Sequence, residues 1–292
     1  PYEPLPVRIV DLDDETLARY GQWPWPRTLV AQLVADLTNA GAAVITMDIV
    51  FAEPDQTSPR NIVEVWNRLA DTSKIREDLA NLPDHDDVLK EIVAQTPVVT
   101  GFVGTAEKTA RLPVQKGNFA IAGDDPGAFI PGFNGAITNV EGLAAAAAGN
   151  GSFNLIPERD GIIRRVPLIV RVGEKRYGTL TTEALRVAQG ASTTIVKASG
   201  ANQQENFGIN TGITAMRIGR LEVPTDSRGR LWVHFTRSEP ARFLPAWQVL
   251  DGAFDPALLD GNIVLIGTSA EGLKDLRTSP VDPAIRSTLA SS

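Results

Sequence analysis

The stretch VRIVDLDDETLARYGQWPWPRTLVAQLVADLTNAGAAVITMDIVF, Val7–Phe51, decides the fold class. Its first six residues, Val7–Leu12, alternate apolar and polar side chains, the period of a strand with one buried face. Asp13-Asp14-Glu15 stop that strand. Tyr20–Pro26 (YGQWPWP) reads as irregular, because Pro24 and Pro26 push the residues before them into extended geometry. From Thr28 the period becomes helical. Leu29, Val30, Leu33, Val34 and Leu37 share one face, and the helix ends near Asn39-Ala40-Gly41. Ala43–Phe51 (AVITMDIVF) is an almost unbroken apolar run with β-branched residues, the mark of a parallel strand covered on both faces. Strand, helix and strand in that order form a βαβ unit.

Further along, Glu53–Asp87 is polar with some helical periodicity (Ile62, Val65, Trp66, Leu69). Asp86–Ala94 reads as a short helix and Pro97–Val103 as a third strand. Residues 104–135, rich in Gly, Pro, Asn and Asp, read as loops. Ile137–Ala148 reads as a small-residue helix stopped by Gly149-Asn150-Gly151. Ile162–Val172 is a strand broken or bulged at Pro167, Leu180–Ala188 a helix, and residues 197–210 a loop. Ala215–Val223 and Arg230–Phe235 flank the turn Pro224–Gly229 and read as a hairpin. Pro245–Leu250 is a helix and Asn262–Gly267 (NIVLIG) a fully buried strand. The fold class is therefore α/β: a single mixed, mainly parallel sheet started by the βαβ unit, with flanking helices and an antiparallel hairpin in the second half. One domain over 1–292, with a helical insertion at about 53–95, is the economical division.

Composition narrows the function classes. The chain has 292 residues, a formal charge of -7 and 43% hydrophobic residues, which is ordinary globular composition. The acidic excess argues against a broad nucleic-acid surface. With no Cys, disulfides, thiolate nucleophiles and Cys-type zinc sites are excluded, a composition that suits an oxidising compartment. His85 and His234 are the sole imidazoles, too few for a three-His metal site. No apolar run reaches the roughly 18–20 residues a membrane span needs, and no signal peptide opens the chain. The start at Pro1 and the end at Ser291-Ser292 read as the limits of a piece of something longer.

Four constellations could carry chemistry. Asp11, Asp13 and Asp14 end the first strand, and Asp48, Glu53 and Asp55 lie in or just after the second. If these strands are parallel neighbours, the acids approach the carboxyl edge of the sheet, where ligands bind open α/β sheets. Asp13 and Asp48 are the metal candidates there, since carboxylates can hold a divalent cation or a cationic small molecule. The alternative is that Asp48 caps a turn and the other acids solvate loops. The second is Gly267–Gly272 after NIVLIG. It is similar to a nucleophile elbow but carries Glu271 where an elbow has Gly, so a tight structural turn competes with serine hydrolysis at Ser269. The third is aromatic: Tyr20, Trp23, Trp25, Trp232, Phe235 and Trp247, a pocket lining, a subunit contact or core. The fourth is His234, on one face with Trp232, a surface histidine or a pH sensor. Arg164-Arg165 on a strand point to opposite faces and make no patch.

Arg8–Asp55 resembles the opening of the type-2 CHASE domain, and three later blocks agree in the same order: Asn154–Gly190, Arg220–Leu250 and Leu258–Val281. WPWPR and IVLIGTSAEGLKD are its most specific pieces. The resemblance implies an extracytoplasmic (periplasmic) sensor of a bacterial inner-membrane receptor. The membrane helices and a cyclase or kinase output module would lie outside this chain. It implies a homodimer, because such outputs act as dimers, and it brings no agreed ligand and no cofactor. After Ser279-Pro280 the chain departs from the family's usual Pro-Gly-Val-Glu-like continuation, with Asp282-Pro-Ala-Ile-Arg-Ser-Thr instead.

Three readings compete. The first is a non-catalytic module that senses an unknown small molecule or ion at the carboxyl edge, lined by Asp13, Asp14, Asp48, Glu53, Thr268 and Ser269 with Trp25 nearby. The second is a non-sensing dimerisation scaffold or a dock for a periplasmic protein, built on an exposed YGQWPWP face. The third is a hydrolase using Ser269.

Overall fold

The computed structural model describes residues 5–66, 78–79, 81–201, 211–236, 238–271, 276–277, 280–281 and 285–286. In chain order its strands are β1 (Val7–Leu12), β2 (Val44–Met47), β3 (Val98–Thr105), β4 (Asn118–Ala122), β5 (Gly132–Phe133), β6 (Gly135–Ile137), β7 (Gly149–Ser152), β8 (Arg165–Pro167) and β9 (Ile169–Val172). Then come β10 (Lys175–Gly178), β11 (Thr193–Ala198), β12 (Ile213–Ile218), β13 (Leu221–Pro224), β14 (Arg230–Trp232), β15 (Phe243–Pro245), β16 (Ile263–Thr268), β17 (Leu276–Arg277) and β18 (Ile285–Arg286), the last two pairing with each other. The helices are α1 (Asp14–Tyr20), α2 (Arg27–Asn39), α3 (Pro59–Trp66), α4 (His85–Ala94), α5 (Glu141–Ala146), α6 (Leu180–Ala188) and α7 (Ala246–Leu250).

The central sheet has the order β15-β1-β16-β2-β3-β6, with β7 also pairing β3. All its pairings are parallel except β3 with β6. β1 and β2 are not neighbours: β16 lies between them. Alternation sends Val10, Leu12, Ile45, Met47, Val264 and Ile266 to one face. There they pack on Leu33, Val34 and Leu37 of α2, Leu89 and Val93 of α4, Leu143 near α5's start and Val249 of α7. Val44 and Val99 face the other way, onto Leu180 and Ala184 of α6. Helices on both faces explain the uninterrupted apolar character of β2 and β16. Each such Val, Leu or Ile contributes about 1.5–3 kcal/mol by leaving water.

The second half adds smaller sheets, β10-β9-β5, β13-β12-β11-β4 and β14-β8. Ile130, Leu168, Ile169, Val196, Ile213 and Met216 form their core. Phe102 of β3 meets Tyr177 of β10 edge-on at 5.4 Å, joining them to the central sheet. The expected strand Ile162–Val172 is broken at Pro167, and its two halves pair in different sheets.

Several readings of the sequence need correction. Asp13-Asp14-Glu15 do end β1, but they also begin α1: the Asp13 carboxylate accepts the Thr16 N–H at 2.8 Å and caps the helix. Residues 104–135 are not all loop, since β4 and β5 lie there; these strands are short and half-exposed and leave little periodic signal. The helix expected at Ile137–Ala148 is cut to Glu141–Ala146, because Ile137 belongs to β6. Gly149-Asn150-Gly151 is not a stop but part of the buried strand β7. A Cβ on Gly151 would stand 2.5 Å from the Leu180 backbone, so glycine lets α6 rest on the strand. The hairpin joins β12 to β13 through Gly219-Arg220. Pro224–Gly229 instead leads to β14, which pairs β8. Of the insertion at 53–95, α3 and α4 are helical, α4 belongs to the central core, and 67–77 and 80 lie outside the described residues. Of the loop expected at 197–210, Lys197 and Ala198 instead end β11, and 202–210, like Gly272, lie outside the described residues.

Candidate functional site

The last residues of β1 and β16 are in register, Asp11 with Gly267 and Leu12 with Thr268. Just beyond, side chains tie the two strands together. Thr268 Oγ1 donates to the Leu12 carbonyl at 2.9 Å, and Ser269 Oγ donates to Asp11 Oδ2 at 2.6 Å in a buried contact. Asp14 Oδ1 accepts the Glu271 N–H at 2.9 Å. The structure thus brings together Asp11, Asp13, Asp14, Thr268 and Ser269. Asp48 stands next door at the end of β2, half-buried, its N–H donating to the Ile266 carbonyl of β16 at 3.2 Å.

Trp25 is 1% exposed. Its Nε1 donates to the Gly21 carbonyl at 2.8 Å, and the rings of Tyr20 and Trp23 lie 6.1 and 6.0 Å away. Trp23 continues to Phe51 at 6.5 Å. The YGQWPWP segment is folded against the core, so it offers no wholly exposed aromatic face. Trp247 lies apart from this group, under the Arg19 guanidinium at 3.7 Å, and Trp232 lies on another sheet, under Arg165 at 4.7 Å.

Glu53 does not join the β1–β16 edge. It is exposed, and its carbonyl accepts from Arg27 Nη2 at 3.2 Å. It borders a polar group centred on Asp55, which the sequence reading places with the edge acids and the structure instead joins to Arg27, Thr57 and His85. Asp55 Oδ2 accepts the Arg27 N–H at 2.7 Å, and Asp55 Oδ1 accepts both the N–H and the hydroxyl of Thr57 at 2.8 Å. His85 Nδ1 lies 3.3 Å from Asp55 and 3.1 Å from Thr57 Oγ1, and Asp86 accepts the Asp55 N–H. Burial raises the Asp55 pKa, but the bonds from Arg27 and Thr57 and the Arg27 charge outweigh it and hold the group below the ordinary carboxylate value. The spacing Asp55-x-Thr57 is a readable turn signal, whereas Arg27 and His85 arrive from other elements.

Among the described residues, no group of three or more Asp, Glu or His side chains converges as a metal site. Ser269 gives its proton to a carboxylate, His85 is held by Asp55 and Thr57, and His234 lies exposed beyond β14, so neither imidazole is a hydrogen-bond partner of that serine. Arg164 and Arg165 do not diverge. Arg164 precedes β8, and both side chains reach Glu158, at 3.1 and 2.6 Å. Arg165 and Arg230 also share Asp226.

Set against known families, residues 1–290 match the family model described as the CHASE2 domain. No curated protein and no solved structure matches the chain.

Proposed function

The chain belongs to the CHASE2 domain family, a family of extracellular sensory domains, and from that premise we propose that it is the stimulus-sensing module of a bacterial transmembrane receptor. Its place is the periplasm, and it relays a conformational change to a cyclase or kinase output outside this chain, acting as a homodimer. Among the described residues no helix is long and apolar enough to cross a membrane, so the proposed tether belongs to other segments.

The observation that supports a ligand at the carboxyl edge is the joint between β1 and β16. These are the first strand of the chain and the last strand of the central sheet, adjacent and parallel, and they are fastened at their ends by Thr268 and just beyond them by Ser269 and Glu271. A small molecule or ion meeting Asp13, Asp14 and Asp48 there, with Thr268 and Ser269 beside it, would act on how the chain leaves β16. It shifts the receptor only by its differential affinity for two arrangements of that joint.

A thermal-shift screen of the purified chain tests this, with divalent cations with and without chelator, amino acids, organic acids and nucleotides. A ligand at about 100 times its Kd adds about 2.7 kcal/mol of stability. Asp13→Asn and Asp48→Asn should abolish that gain and keep the fold, since Asn caps α1 as well as Asp does. A confirmed ligand whose binding neither change alters would refute the edge as its site.

A further inference from the structure

The turn between β13 and β14 builds a cationic cleft away from the sheet edge. Asp226 Oδ1 accepts the N–H groups of Arg228 and Arg230, each at 3.0 Å, and the Gly229 N–H donates to the Asp226 carbonyl at 2.9 Å. Gly229 has φ +71°, and a Cβ there would stand 2.9 Å from Ile169 and 3.0 Å from Ile213, so the turn is fixed by packing as well as by hydrogen bonds. Arg230 is oriented by Asp226 Oδ2, which accepts its Nε at 2.9 Å and lies 2.8 Å from its Nη2. Both arginines line a half-open cleft of about 460 Å³ whose other walls are Ala128, Phe129, Ile130, Pro131 and Ile156. That volume is in the range of small-molecule sites.

Charge selects the ligand. Arg228 and Arg230 are the charged residues among those lining the cleft. Arg164, Arg165 and Arg230 are matched against Glu158, Asp160 and Asp226. The exposed Arg228 guanidinium has no acidic partner among the described residues. One surplus cation fits a monoanion better than a dianion, and its planar fork suits a carboxylate. The apolar walls would leave an inorganic ion with nothing to cover them.

We propose that this cleft binds a small organic carboxylate with an apolar body, the carboxylate against Arg228 and Arg230 and the apolar part on Phe129, Ile130 and Ile156. The assignment adds a second site to the sensor reading and is independent of the β1–β16 edge.

The test is calorimetric titration and thermal shift of the purified chain with phenylacetate, its neutral analogue phenylacetamide, and inorganic phosphate. Phenylacetate is expected to bind, and the other two to bind at least about tenfold more weakly. Arg228→Ala, a change at an exposed residue, should weaken phenylacetate binding by about tenfold or more. Ile156→Trp should block it by filling the cleft, with circular dichroism checking the fold of both. Asp13→Asn should leave it unchanged. The proposal falls if phenylacetate, 4-methylpentanoate and indole-3-acetate all fail to bind at about 10 mM. It falls too if the amide or phosphate binds equally well, if Arg228→Ala binds like the parent, or if Asp13→Asn abolishes binding and so moves the site to the sheet edge.

Discussion

Ser269, the first residue after β16, donates its hydroxyl to the carboxylate of Asp11 on β1 at 2.6 Å, with both residues 9% exposed. The contact joins the ends of two strands that lie far apart in sequence. It also uses the serine proton that a nucleophile would pass to an imidazole.

Removing that hydroxyl takes a donor from a buried carboxylate. Ser269→Ala should lower stability by about 1–3 kcal/mol, read by urea unfolding. The same geometry predicts that a fluorophosphonate probe leaves Ser269 unlabelled in the native chain, and stoichiometric labelling found by mass spectrometry would contradict it.

Gly151→Ala should be among the most damaging single changes in the sheet. The new methyl would stand 2.5 Å from Leu180 N and Cα and 2.7 Å from the Thr179 carbonyl carbon, all backbone atoms. Backbone cannot rotate away as a side-chain tip can. Either β7 or the start of α6 must move, a loss of about 3 kcal/mol or more. A thermal melt indistinguishable from the parent would show that the two elements are not in contact.

Asp55 predicts the acid limb of the stability curve. Its folded pKa is depressed, burial being outweighed by the Arg27 and Thr57 bonds. The unfolded carboxylate titrates near about 3.9. The stabilisation is therefore full above that value and is lost as pH falls from there through the lower folded pKa. Asp55→Asn should melt lower than the parent at pH 7 and lose less stability than the parent on acidification below about pH 4. Melting curves of the two proteins that run parallel through the acid range would exclude Asp55 as a contributor.

These residues show what a sequence can display. β2 and β16 are legible because burial on both faces makes an unbroken apolar run, and α6 is bounded by Thr179 and Gly190. That β16 slips between β1 and β2 is written nowhere in the local pattern of either strand. β7 is illegible for a different reason. Gly149–Ser152 has no apolar side chain to show, and what it buries is backbone against a helix that comes much later in the chain. The edge acids are readable as a group at strand ends, but β2 stops at Met47, short of the apolar run to Phe51, and Glu53 lies off the sheet with its backbone carbonyl against Arg27. Arg164 escapes the two-residue alternation because it lies outside β8, and so both arginines can meet Glu158.

The pair Glu183–Arg186 tests how α6 is anchored. Arg186 Nε and Nη2 reach the two Glu183 carboxylate oxygens at 2.9 and 2.6 Å, with the side chains 8% and 2% exposed. Arg186 also donates to the carbonyls of Ala148 and Ala191. Two desolvated charges gain little over an apolar pair of similar volume, but either one left alone is expensive. Glu183→Gln should therefore destabilise by about 3–5 kcal/mol. The double change Glu183→Leu with Arg186→Met should lose less than the sum of its two single changes, because no orphaned charge remains. Strict additivity in that double-mutant cycle would mean that the two side chains do not interact, and the anchoring of α6 would then rest on its other contacts, among them Leu180 and Ala184.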